Sequence, residues 1–199
     1  ISINLHLSNY ADLAISLRDS LFHVSSLIST TGFTTFDFEK WPSFSKAILI
    51  ILMFIGGSAG STAGGIKIAR VTVMFKLIKR EIVRIFHPRA IIPIKHNGKS
   101  ISNETISGIY SFISLYIGIF IISTLLVTLE GVDLGTSAST VVATLGNIGI
   151  GRGFSGLTSE FADYHQLTKL LFSALMLLGR LELFTIVALF APKNWRGEI

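Results

Sequence analysis

Between Thr105 and Leu129 the chain runs for 25 residues, TISGIYSFISLYIGIFIISTLLVTL, without a charge. At 1.5 Å per residue this is enough helix to cross roughly 30 Å of hydrocarbon with some tilt, so the pattern predicts a membrane span. A second apolar run at 167 to 191, LTKLLFSALMLLGRLELFTIVALFA, predicts another span, interrupted by Lys169 near one end and by Arg180 and Glu182 in its middle. Residues 44 to 56 are apolar but too few to cross alone, and they stop at the small residues GGSAGSTAGG, which predicts half a span followed by a break. From Arg70 the pattern becomes amphipathic. Val71, Met74, Phe75, Ile78, Ile82, Ile85 and Phe86 fall on one side of a helix, with Arg70, Lys76, Lys79, Arg80 and Arg84 opposite. Such a helix can leave the membrane along its basic face; His87-Pro88 ends it, and PIKHNGKS reads as a short aqueous loop.

Two further stretches share one grammar. SLRDSLFHVSSLISTTGFTTFDF, from Ser16, and DLGTSASTVVATLGNIGIGRGFSG, from Asp133, each read as a short, moderately apolar helix containing Ser and Thr that ends in Thr-x-Gly. The endings are Thr30-Thr31-Gly32-Phe33 and Thr144-Leu145-Gly146-Asn147. Each is followed by a polar connection and an apolar segment, so the unit is a span, a re-entrant helix, a Gly loop and a span. The chain holds nearly two units, residues 1–103 and 104–199, the first without most of its outer span. Non-helical backbone at membrane depth is tolerated only where it is buried in protein or lines water. A Gly loop there predicts a pore or binding site, because close backbone approach lets carbonyl oxygens replace a cation's water shell. The re-entrant helices would aim their partially negative C-terminal ends at the same place. Gly32 and Gly146 as simple helix caps are the alternative, which the repetition disfavours.

Composition agrees with an all-α integral membrane protein: 50% of the 199 residues are hydrophobic and 15% charged, against roughly a quarter charged in soluble domains. The net charge of +5 would suggest a nucleic-acid partner, but nine of the 17 basic residues lie between Lys67 and Lys99. Membrane topology explains such a block, and no nucleic-acid motif accompanies it. With Glu81 its one acid, the block places that connection in the cytoplasm. The span from 105 then runs outward, and residues 130 to 164 are external, with Glu130, Asp133, Glu160 and Asp163 against Arg152. The last span returns inward to Lys193 and Arg196, giving a multi-pass protein of the cell membrane with a cytoplasmic C-terminus. Lys67 and Arg70 read as topology signals or as contacts with lipid phosphates or a partner. The absence of Cys excludes disulfides and Cys-based metal sites. A start at Ile1, with no Met and no signal peptide, predicts a fragment of a longer chain.

GGSAGSTAGG admits three chemistries. A phosphate-binding P-loop fails on spacing, since Gly60 and Gly65 are followed by Ile66 before Lys67. Gly56-Gly57-Ser58-Ala59-Gly60 matches the nucleophile elbow G-x-S-x-G, which would make Ser58 the nucleophile of a membrane-embedded serine hydrolase with a base such as His87. The third reading is a break inside a membrane helix, and a non-transporting membrane scaffold stays open beside it.

In STTGFTT at 29–35, FIGGSAGSTAGGIK at 54–67, TLGNIGIG at 144–151 and LGRLELF at 178–184, the sequence resembles the TrkH, TrkG and KtrB family of potassium-uptake subunits. The resemblance covers essentially the whole chain and is specifically to the last two of the family's four pore repeats. It implies potassium as the transported ion, no organic cofactor and no enzymatic activity. The implied filter positions are Thr31, Gly32 and Phe33, then Leu145, Gly146 and Asn147. Asn147 and Ile148 stand where the first loop has Phe33 and Thr34, so backbone carbonyls must carry coordination in the second loop. Gly56, Gly57, Ser58, Ala59, Gly60, Ser61, Thr62, Ala63, Gly64 and Gly65 become the intramembrane loop that obstructs the pore under the filter, its small side chains leaving few contacts to break. Arg180 becomes a positive barrier near that gate. The implied partners are the N-terminal half of the same subunit, a second copy in a homodimer, a cytoplasmic nucleotide-binding regulator of the TrkA or KtrA type, and membrane lipid.

Overall fold

The computed structural model describes residues 1–8, 12–35, 40–90, 92–96, 98–149, 161 and 164–181. Among these described residues seven helices carry the fold: α1 (Ser2–Leu7), α2 (Leu13–Ile28), α3 (Ser43–Ile55), α4 (Ile68–Phe86), α5 (Asn103–Thr128), α6 (Leu134–Leu145) and α7 (Gln166–Arg180). Between α4 and α5, β1 (Lys95–His96) and β2 (Lys99–Ser100) pair antiparallel, Lys95 opposite Ser100. PIKHNGKS therefore closes as a minimal hairpin, with Gly98 supplying the positive φ of its turn.

The helix ends follow from local chemistry. The Ser102 hydroxyl accepts the Thr105 amide and starts α5. Asp133 accepts the amides of Gly135 and Thr136 and starts α6. The Glu130 carboxylate accepts the Thr168 hydroxyl and the His165 amide, which ties the end of α5 to the start of α7. α3 stops because Gly56 takes φ 65° and ψ −161°, a conformation open to glycine.

α5 has the length and apolarity to cross a membrane, as its uncharged run predicts. α6 has 12 residues, too few to span, and every residue from Ser139 to its end at Leu145 is buried. It packs between α5 and α7 and touches α3, while α2 packs on α1 and α3. One apolar cluster joins Phe112, Tyr116, Val141, Leu145, Phe172 and Leu175 across α5, α6 and α7. A second joins Leu5, Leu27, Leu49 and Met53 of α1, α2 and α3 to Val142 and Ala143 of α6, so the helices before and after the hairpin share a core. A third, Val73, Leu77, Ile94 and Ile106, seats α4 on the hairpin and α5. α7 ends at Arg180, within the apolar stretch that begins at residue 167; residues 182–199, including Glu182 and the rest of that stretch, lie outside the described residues.

Candidate functional site

The two re-entrant helices end in the same backbone turn. After α2, Ser29 caps in αR geometry, Thr30 turns to φ 54° and Gly32 to φ 80°. After α6, Gly146 caps in αR geometry, Asn147 turns to φ 55° and Gly149 to φ 80°. The hydrogen bonds repeat as well: Thr30 N donates to Leu27 O and Thr31 N to Ser26 O, as Asn147 N donates to Thr144 O and Ile148 N to Ala143 O. The Ser26 hydroxyl donates to Phe33 O at 2.7 Å and braces the first loop. Asn147 Nδ2 donates to Met176 O at 2.9 Å and braces the second against α7.

The stretch from Gly56 to Gly65 fits between these two turns. Its Gly64 amide donates to Thr30 Oγ1 at 3.4 Å. A β-carbon on Gly64 would stand 2.2 Å from Gly146 O, and one on Gly57 would meet Ile28 O at 3.4 Å. Only glycine permits that approach to the end of α6, whereas the end of α2 lies at ordinary contact distance from Gly57. The stretch is closed at its neck, where Ile66 N donates to Phe54 O, Lys67 N to Ile55 O and Ile68 N to Gly57 O. These bonds satisfy carbonyls that α3 leaves open where it breaks. Ser58, Ala59, Gly60 and Thr62 form an exposed tip, whereas Ala63, Gly64 and Gly65 are buried. The stretch is thus exposed at its tip and buried and hydrogen-bonded at its neck. Arg180 reaches the tip across the fold, its Nη1 donating to Thr62 O.

Ser58 is exposed and its carbonyl accepts from Ser61, but His87 caps the far end of α4, ~28 Å of helix away at 1.5 Å per residue. That geometry gives Ser58 no base from His87, and the elbow reading loses its support.

The cation transport protein family TrkH matches residues 4–197 of the chain. The chain belongs to the TrkH family. It is 39% identical over 187 residues to the Trk system potassium uptake protein TrkH of Salmonella typhimurium, covering 94% of this chain and 38% of that relative. The Trk system potassium uptake protein TrkG of Escherichia coli is 35% identical over 192 residues, covering 96% and 39%. The crystal structure of the potassium transporter TrkH from Vibrio parahaemolyticus superposes with a TM-score of 0.87 at 34% identity, covering 98% of this chain and 41% of that one. The chain thus has the all-α membrane fold of the TrkH family, and it spans about two fifths of the length of these relatives.

Within this TrkH-family fold the register of the second loop differs from the one the Thr-x-Gly match predicts. Gly146 is the counterpart of Ser29, and Gly149 is the counterpart of Gly32. Leu145 is fully buried, and its carbonyl oxygen lies where a β-carbon on Gly179 would stand 1.9 Å away, facing α7. The Gly146 carbonyl faces Gly64. The Leu145 and Gly146 carbonyls therefore pack against α7 and the glycine stretch, and the Asn147 side chain binds α7. In the first loop Thr31 and Phe33 are exposed, and the Phe33 carbonyl turns back onto Ser26. Arg70, expected on the polar face of α4, instead lays its guanidinium over the Phe112 ring, 4.0 Å from the centroid. The neck bonds and the Asn147 brace are contacts around the candidate site that the linear pattern does not carry.

Proposed function

We propose that the chain forms the third and fourth pore repeats of a potassium-translocating subunit of the cell membrane, with α4 and the C-terminus on the cytoplasmic side. The observation that carries this is the pair of identical turns at the ends of α2 and α6, both pressed on one glycine stretch. The relatives' names, a potassium uptake protein and a potassium transporter, support the choice of ion. In this reading Thr30, Thr31 and Gly32, then Asn147, Ile148 and Gly149, are the filter segments, and their backbone carbonyls replace water around the ion. Gly56 to Gly65 obstruct the path below, and Arg180 sets a positive charge beside the tip of that obstruction. Two further repeats complete the ring, a second copy makes the dimer, and a nucleotide-binding regulator meets the basic face of α4.

The test is potassium and sodium uptake by the full-length parent in a cell that lacks its own potassium uptake. Gly32→Ser and Gly149→Ser are expected to change ion preference or potassium affinity while the protein reaches the membrane. Gly118→Ser on α5, where an added β-carbon meets nothing within 4 Å, is expected to behave as wild type. Unchanged uptake in both loop variants would remove the filter assignment.

A further inference from the structure

The end of α4, the hairpin and the start of α5 enclose a groove of about 510 Å³, whose walls include Arg80, Arg84, Arg89, Ser102, Asn103 and Ile106. Three guanidiniums line it and, among the described residues, no carboxylate does. Glu81 meets two of them through a single oxygen. Arg80 Nε and Nη2 both lie 3.0 Å from its Oε1, and Arg84 Nη1 lies 3.5 Å from the same atom. Nη1 of Arg80 and Nη2 of Arg84 keep their donors unspent among the described residues, because a guanidinium carries more of them than one oxygen takes up. Arg89 is exposed and bonds to nothing among the described residues. Glu104 follows Asn103 without lining the groove, and with both acids counted the positive charge is still in excess.

The groove opens where the apolar span begins. Ser102 caps α5, and Ile106 packs one turn further in against Val73, Leu77 and Ile94. Tyr110, Ile117 and Ile121 follow it within roughly 60° around the helix at 100° per residue, and all three are exposed. A phosphate at the arginines therefore has an apolar stripe beside it that leads into hydrocarbon. We infer that this groove binds the headgroup of an anionic phospholipid, whose chains lie along that stripe of α5. Guanidiniums recognise phosphate oxygens through charge-assisted bonds, and the negative charge offsets the mutual repulsion of the three arginines. Basic pockets at the end of membrane helices suit such headgroups, and the volume admits one. An acidic protein segment would meet the same charges but leaves the stripe uncovered, so the two features together favour lipid. A lipid held here bridges the end of α4 and the start of α5, and stabilises the seat of α4 by mass action. The inference needs α5 to cross the membrane; it does not depend on which ion is carried or on the side that α4 faces.

The experiment is thermal unfolding of the full-length parent subunit in detergent with rising phosphatidylglycerol. Phosphatidylcholine with the same chains and inorganic phosphate at the same concentrations run in parallel. A saturable rise in the midpoint is expected with phosphatidylglycerol and little change with the other two. The response should weaken about tenfold in apparent affinity in Arg84→Gln and in Arg89→Gln, and stay unchanged in Lys79→Gln, which removes the same charge from α4 outside the groove. Both arginines are exposed, so lipid-free midpoints near wild type are expected, and either variant alone carries the test. An equal response to phosphatidylcholine overturns the anionic headgroup, and an equal response to inorganic phosphate gives the groove to the free ion instead. A phosphatidylglycerol response undiminished in both variants puts the lipid elsewhere and overturns the inference. No response to phosphatidylglycerol also overturns it, and binding of the proposed regulator lost in the same variants would then assign the groove to a protein.

Discussion

Gly64→Ala tests the glycine stretch as an obstruction. The new β-carbon would stand 2.2 Å from Gly146 O and 2.7 Å from its carbonyl carbon, where ordinary contact begins at 3.4 Å. The stretch must therefore retreat from α6 by roughly 1 Å, and the same movement strains the Gly64 bond to Thr30, already 3.4 Å long. Overpacking of this kind costs about 1–3 kcal/mol. At about 1.4 kcal/mol per tenfold, the ratio of open to closed stretch rises about 5- to 140-fold. From a starting population of about 1% open, the open fraction becomes roughly 5% to 60%. The assay is the initial rate of potassium uptake by the full-length parent, normalised to protein in the membrane, with Ser58→Ala at the exposed tip as control. Gly64→Ala should raise the rate several-fold, and Ser58→Ala should leave it near wild type. A wild-type rate in Gly64→Ala at wild-type membrane levels would refute the argument, because the clash would then have been absorbed without moving anything that limits flux.

Three further outcomes follow from the same geometry. Gly179→Ala places a β-carbon 1.9 Å from Leu145 O and 2.8 Å from Asn147 Nδ2, so it should break the brace to Met176 and lower stability by roughly 2 kcal/mol or more, read as a lower unfolding midpoint in detergent. Asp133→Ala should cost about 1 kcal/mol through loss of the α6 cap, while Asp133→Asn, which can accept the same amides, should keep most of it; equal losses in both would sink the capping account. In hydrogen exchange the amides of Ile66, Lys67 and Ile68, bonded across the neck, should be protected well beyond those of Ala59 and Gly60 at the tip, and uniform exchange along 58–68 would show that the neck does not hold.

How much of this was legible depended on whether the information was local. α5 announced itself because 25 uncharged residues can do little else, and α3 because its apolar run stops at Gly56. The re-entrant helices were legible as short, Ser/Thr-bearing segments in a repeat. Their register was not, because two glycines compete in TLGNIG and the first of them completes a Thr-x-Gly match by coincidence. The physical signal lies elsewhere: a helix end needs one residue in the left-handed region just past its cap, and Asn147 is the type that tolerates it, as Thr30 does less readily in the first loop. Counting from that residue, a glycine two positions later falls at Gly32 and Gly149 alike. The neck bonds and the Asn147 brace involve partners 11 to 29 residues apart, and no spacing rule reaches them.

The neck changes what kind of motion the stretch can make. With Ile66, Lys67 and Ile68 bonded back to Phe54, Ile55 and Gly57, the end of α3 and the start of α4 are joined directly, and the residues between them form a closed protrusion. Straightening 56–65 into helix would break three backbone bonds together and pull Gly64 and Gly57 from the ends of α6 and α2. Moving the tip alone gives up, among the described residues, the bond from Arg180 to Thr62, on a surface already exposed. The smaller movement costs less, and its anchor is a charged side chain on a helix that also holds the second loop through Asn147. A shift of α7 therefore acts on the tip of the glycine stretch and on the turn at Asn147 together, which couples the two along one rigid element.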